Sequence, residues 1–171
     1  MKKFIVLLII LGLNVSLGIA EEQGEIDMQL TSPSFDHNSM FPLEFTCQGK
    51  DINPELNISG IPEETKSLAL IMDDPDAPMG MWVHWVVFDI SPITMRIKKN
   101  SIPGKQGIND FQRLNYGGPC PPSGTHRYFF KLYALDTLLN LKEGMIKKQD
   151  LEKAMEGHLL AQAELIGLYK K

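Results

Sequence analysis

Asp73 to Trp85 reads Asp-Asp-Pro-Asp-Ala-Pro-Met-Gly-Met-Trp-Val-His-Trp and sets carboxylates, two prolines and a histidine side by side. Tyr116 to Tyr128 reads Tyr-Gly-Gly-Pro-Cys-Pro-Pro-Ser-Gly-Thr-His-Arg-Tyr and ends in a second histidine at a strand start. An imidazole N–H donates to an anion, more strongly when charged, and a carboxylate behind it orients the ring and favours the charged form. Glycine lets a ligand approach the backbone and offers bare N–H donors. These residues therefore point to an anion pocket. His84 and His126 face the ligand, Asp74 and Asp76 orient the imidazoles, and the Gly117-Gly118 backbone completes the donor set. Affinity is expected to be strong at acid pH and to fall as pH rises through the raised imidazole pKa. The competing reading of the first stretch is a polar turn with solvated acids.

The same residue types also allow hydrolysis. Two histidines and a carboxylate are the donors of an open metal site that would cleave phospho- or acyl esters. Here His84 and His126 lie on separate segments with no second motif. A triad of Ser123, His126 and an Asp is weaker still, because Ser123 sits among prolines without a nucleophile elbow. With no activated nucleophile or firm metal motif, binding without turnover is the expectation, with no cofactor and no metal; the hydrolase is the alternative.

Positioning these residues requires strands on either side. Ser67 to Met72 and Trp82 to Phe88 are apolar on both alternating faces, as central strands covered on both sides are. The loop between them holds Pro75 and Pro78, which lock φ and bias Asp74 and Ala77 away from helix. His126 to Leu135 alternates, with Tyr128, Phe130, Leu132 and Ala134 on one face and Arg127, Phe129, Lys131 and Tyr133 on the other. Shorter strands are expected at Met28–Thr31, Leu43–Thr46 and Glu55–Ser59, and a closing strand at Ala163–Tyr169. Lys148 to Leu159 carries Leu151, Ala154, Met155, His158 and Leu159 on one helical face, with Gly157 weakening the last turn. His158 is then a core histidine, and His37 a solvated loop residue. Trp82 and Trp85 fall on opposite strand faces, with core packing expected for both and one of them bordering the pocket as the alternative. Asn100 to Ser123 is a long Gly- and Pro-rich stretch of the functional or disordered kind. Strands joined by turns with one late helix suggest a mainly antiparallel β protein.

Met1 to Ala20 has the layout of a secretory signal peptide: Lys2-Lys3, an apolar run from Phe4 to Leu13, and small residues before Glu21. The expected mature chain, residues 21–171, is one domain, exported to a periplasm or the medium. Losing Lys2 and Lys3 takes the formal charge from −4 to −6, which gives nucleic acid no electrostatic footprint. Lys98-Lys99 and Lys147-Lys148 are expected on solvated faces. Cys47 and Cys120 are either a bridge, worth about 4 kcal/mol on the chain-entropy model, or two separate buried thiols.

Asp74-Pro-Asp-Ala-Pro78, His84 four residues before Phe88, Gly117-Gly-Pro-Cys-Pro-Pro122 and Gly124-Thr-His-Arg-Tyr128 together resemble the phosphatidylethanolamine-binding protein family. The likeness runs from about Met28 to Tyr169. Ala154-Met-Glu-Gly-His158 and Ala163-Glu-Leu-Ile-Gly167 are similar to its bacterial and archaeal branch. The resemblance implies a large central antiparallel β-sheet flanked by a smaller sheet and a few helices. It implies a pocket for phosphate or phospholipid head groups such as phosphorylethanolamine, inhibition of kinases or proteases in some members, and homodimers. Carried over, the pocket acids are Asp74 and Asp76, the loop wall Ala77 and Pro78, and the imidazoles His84 and His126. Tyr128 is the aromatic wall, and Gly118, Pro121 and Pro122 the rim. Arg127, on the opposite face from His126, is expected to hold the loop acids. Eukaryotic members carry two adjacent histidines where this chain has Val83-His84, and a small residue where it has Cys120.

Overall fold

Ser67–Asp74 is buried at every position, and the rest of the molecule is layered about it. The computed structural model describes residues 27–171, so the expected signal peptide lies outside the described residues. In chain order the strands are β1 (Gln29–Thr31), β2 (Ser39–Met40), β3 (Leu56–Ser59), β4 (Ser67–Asp74) and β5 (Trp82–Ile90). They continue as β6 (Arg96–Ile97), β7 (Lys105–Gln106), β8 (Thr125–Leu135) and β9 (Leu159–Lys170), with α1 (Lys148–Met155) before β9. One sheet has the order β2-β9-β8-β4-β5-β7 and the other β1-β3-β6. All pairings are antiparallel except β2 with β9. The fold is thus mainly β, with a large central sheet, a smaller one and little helix.

The even-numbered residues Leu68, Leu70 and Met72 of β4 join Phe130, Leu132 and the small sheet's Leu30, Leu56, Ile58 and Ile97 in one core. Ala69 and Ile71 face the other way, into a second cluster with Val86, Phe88, Leu151 and Met155. This double coverage explains why β4 and β5 read as near-continuous apolar runs. β8 alternates as its sequence indicates, with Tyr128, Phe130, Leu132 and Ala134 all buried in the first core.

Several expectations are corrected. Leu43–Phe45 is a 3-10 turn rather than a strand. Phe45 N–H donates to Pro42 and Thr46 N–H to Leu43, while Leu43 is exposed and Phe45 buried. The helix stops at Met155, and Gly157, at φ 78°, turns the chain so that β9 starts at Leu159. His158 is therefore no core histidine: it is exposed, with Nδ1 2.8 Å from Asp136. Lys148 is not on a solvated face either. Its Nζ lies 2.6 Å from Asp73, which is fully buried and also meets Lys131 at 2.9 Å, so an ion pair fastens α1 to β4. The stretch from Asn100 to Ser123, expected to be functional or disordered, contributes β7 and buries Asn109 and Tyr116.

Of the two cysteine readings, the bridge is the one found. Cys47 and Cys120 are joined with Cα atoms 5.5 Å apart, across a sequence separation of 73. The link ties the turn after Phe45 to the glycine-proline loop. Replacing both cysteines by alanine is expected to cost about 4 kcal/mol by loop entropy, read as a lower denaturant midpoint with a slope that rises as the unfolded chain expands. An unchanged midpoint would show that the bridge constrains little.

Candidate functional site

Asp74 and Trp82 sit at the open ends of β4 and β5, and His126 and Tyr128 near the start of β8, so the sheet itself brings the two motifs together. A register shift assists. Met72 pairs with Trp85 and Asp73 with Val83, so His84 is an extra residue in β5. Such a bulge resets the alternation of side chains. Trp82, His84 and Trp85 consequently share a face, where strict alternation placed the two tryptophans on opposite ones. Trp85 packs in the core with Nε1 donating to Gln106, whereas Trp82 is half-buried at a cavity wall.

That cavity, of about 370 Å³, is lined by Asp74, Ala77, Pro78, Met79, Trp82, His84, Phe111, Cys120, Pro121, Pro122, His126 and Tyr128. Its polar atoms cluster at Asp74, the two imidazoles and Tyr128, and the rest of the wall is apolar. The ring of Tyr128 is the common neighbour: His84 meets it edge-on at 5.2 Å between centroids, and His126 lies roughly parallel at 6.5 Å. Met79 and Phe111 line the cavity without belonging to the candidate set. Phe111 is delivered by the long loop, where Asp110 accepts from Val83 N–H at 2.7 Å, and it packs edge-on against Trp82 and His84. A larger open groove, about 1180 Å³, lies between β1 and β9 and contains none of the candidate ligand-binding residues.

The two imidazoles are held differently. His126 Nδ1 lies 2.7 Å from Asp74 Oδ2, while Asp74 Oδ1 accepts the Asp76 N–H at 2.8 Å; Asp74 and His126 are both buried. Asp74 thus orients an imidazole as expected. Asp76 does not. Both its oxygens take Arg127, Oδ2 from Nε at 2.8 Å and Oδ1 from Nη2 at 2.7 Å, and Oδ2 also accepts the Arg127 N–H at 3.0 Å. Arg127 therefore holds the acid loop, and Asp76 lies outside the cavity lining. His84 has no carboxylate partner at all: Nδ1 donates to the Gly117 carbonyl at 2.6 Å. Burial pushes its pKa below the ordinary imidazole value, against the opposing pull of that carbonyl and of Asp74. The expectation of a raised pKa is reversed for this ring.

The glycines serve the protein rather than a ligand. Gly117 N–H donates to the His84 carbonyl at 3.0 Å and Gly118 N–H to Asp51 Oδ1 at 2.6 Å. A Cβ on Gly118 would collide with the Phe45 carbonyl, and one on Gly117 with the Phe111 ring. Gly118 is absent from the cavity lining, whereas Pro121 and Pro122 belong to it. Tyr128 remains. It is fully buried, and its hydroxyl has no hydrogen-bond partner of good geometry. Burial and then the Asp74 charge push its pKa up, so it stays a neutral donor. Among the described residues no three His, Cys, Asp or Glu converge as a metal-ligating group.

The Arg127 guanidinium, chiefly by hydrogen bonding, holds the Asp76 carboxyl down at about 2 against an ordinary 3.8. A depressed carboxyl stabilises the fold at pH above its unfolded value and loses that contribution as pH falls through the folded one. A carbon-NMR titration of Asp76 is expected to show a midpoint of about 2, moving back toward 3.8 in Arg127→Ala. An unshifted midpoint in the parent protein would remove the clamp from the account.

The family model described as phosphatidylethanolamine-binding protein matches residues 31–170. A UPF0098 protein of Methanothermobacter thermautotrophicus is 49% identical over 152 residues, covering 84% of this chain and 99% of its own. One from Aquifex aeolicus is 50% identical over 153 residues, covering 84% and 89%. Among solved structures, the phosphatidylethanolamine-binding protein homologue CT736 of Chlamydia trachomatis superposes with a TM-score of 0.83 at 43% identity, covering 85% of this chain and 99% of its own. YbcL of E. coli, described as a member of the mammalian family, gives 0.79 at 30% identity, with the same coverage. Matched along most of its length in sequence and in fold, this chain belongs to the phosphatidylethanolamine-binding protein family.

Proposed function

We propose that this chain is an exported binding protein whose cavity holds the anionic head of a small molecule, phosphate-like or a carboxylate, and releases it unchanged. The observation that carries the reading is the buried Tyr128 hydroxyl, which makes no hydrogen bond of good geometry although Asp74 and the Cys120 backbone are near, on a ring packed against both imidazoles. Leaving such a group unpaired costs about 1–3 kcal/mol, and a ligand oxygen that accepts from it recovers that cost. His126, oriented by Asp74, presents Nε2 to the same ligand. The apolar wall of Pro78, Trp82, Phe111, Pro121 and Pro122 would cover the body of the molecule. A small, mostly apolar pocket with a few convergent polar groups is what ligand sites usually look like. The family name of the relatives supports a phosphoryl head group.

The cavity's cysteine is disulfide-bonded and its lining includes no serine or threonine, which favours binding over covalent turnover. The bridge suits an oxidising compartment and so supports export by way of the N-terminal segment. One observation favours the hydrolase alternative: an Asp-oriented imidazole also serves as a general base. A protease or kinase held at the rim around Pro78 and Met79 would be the protein partner in an inhibitory role.

Tyr128→Phe separates binding from folding. It is expected to weaken phosphorylethanolamine by about tenfold in calorimetry while leaving thermal stability equal or slightly higher, because an unsatisfied buried hydroxyl has been removed. Unchanged affinity would refute the assignment of the hydroxyl. Incubation with phosphomonoesters and acyl esters, with divalent metal added, is expected to give no product. Turnover abolished by His126→Ala would establish the hydrolase instead.

A further inference from the structure

The proposed anion pocket can be narrowed by asking which protons its side chains already carry. The Gly117 carbonyl can only accept, so at 2.6 Å the hydrogen of His84 is on Nδ1. In the neutral ring Nε2 is then a bare lone pair. His84 is buried, which opposes a second proton. It meets a ligand as an acceptor, not a donor. The groups around it are Asp74 on β4, Tyr128 and His126 on β8, and Gly117 and Phe111 from the long loop. Farther out are Asp73, neutralised by two lysines, and Asp51, paired with Arg113 at 2.8 Å. The Asp76–Arg127 pair lies outside the cavity lining. The cavity therefore offers one firm acceptor, His84; the Tyr128 hydroxyl, for whose hydrogen Asp74 competes; and the negative charge of Asp74 behind His126.

We infer that the pocket selects a phosphate group that still carries a P–OH, a monoester or free phosphate in its monoanionic form, over the dianion and over a phosphodiester. The P–OH donates to His84 Nε2, and a non-protonated oxygen of the same group accepts from Tyr128. A dianion has no proton for His84 and brings a second charge toward Asp74. A phosphodiester has the right charge but no P–OH at any accessible pH. Intact phospholipid head groups, being diesters, are on this account poor ligands. The inference rests on the anion-pocket reading and adds a preference that the reading alone does not contain.

The probes are inorganic phosphate, phenyl phosphate and methyl phenyl phosphate, titrated into the full chain by calorimetry. Because a phosphomonoester loses its second proton near pH ~6, phenyl phosphate is expected to weaken by about tenfold or more between about pH 5 and about pH 8. Inorganic phosphate should follow the same trend. At the acid end the diester is expected to bind at least about tenfold more weakly than the monoester, with little pH dependence of its own. A diester that matches the monoester overturns the inference and leaves the anion pocket standing. So does a parallel decline of both with pH, which would place the relevant proton on His126. Binding of none of the three at any pH would overturn both.

Discussion

The bond between the His84 ring and the Gly117 carbonyl is the contact on which the site depends. It is one of a reciprocal pair, since the Gly117 N–H returns to the His84 carbonyl. Asn109 reinforces it, donating to the His84 carbonyl at 3.0 Å and to the Asn115 carbonyl at 2.8 Å. Two segments far apart in sequence are thereby locked face to face. The lock also decides the imidazole's tautomer, and with it what the cavity offers a ligand.

The surrounding structure serves that lock. The bulge in β5 turns His84 onto the face of Tyr128. Asp51 holds the loop from behind by taking Gly118 N–H and Arg113, and Tyr116 donates its hydroxyl to the Phe45 carbonyl at 2.9 Å. The disulfide joins the same two pieces of chain a few residues farther on. Polar groups buried this deeply are costly unless paired, and here nearly all are. Tyr128 is the exception at the cavity, and the exception identifies where a ligand belongs.

Much of this was legible in the residues. Continuous apolar runs gave away the covered central strands, and alternation from Tyr128 to Ala134 gave the buried face of β8. That an acid of the loop orients an imidazole followed from residue types known to assist one another, though not that Asp74 alone does so and for His126, and Arg127 fell to the acid loop by strand parity. What escaped was what alternation cannot encode. A bulge leaves no mark in composition, so Trp82 appeared to oppose Trp85. Glycines look the same whether a ligand or a neighbouring backbone fills the space beside them, so Gly117 and Gly118 read as donors to a ligand when they donate to the protein. Leu43 and Phe45 have strand spacing, but Pro42 begins a turn that exposes one and buries the other. Asp73 and Lys148 lie far apart along the chain, and only the docking of α1 makes them partners.

The central claim is that His84 is a neutral ring with its proton on Nδ1. Nitrogen NMR of the His84 imidazole in the ligand-free protein tests it most directly. From about pH 6 to about pH 8 the account predicts a protonated Nδ1 and a bare Nε2, with no transition near the ordinary histidine pKa of about 6.5. A charged ring at neutral pH, or a proton on Nε2 instead, would contradict it.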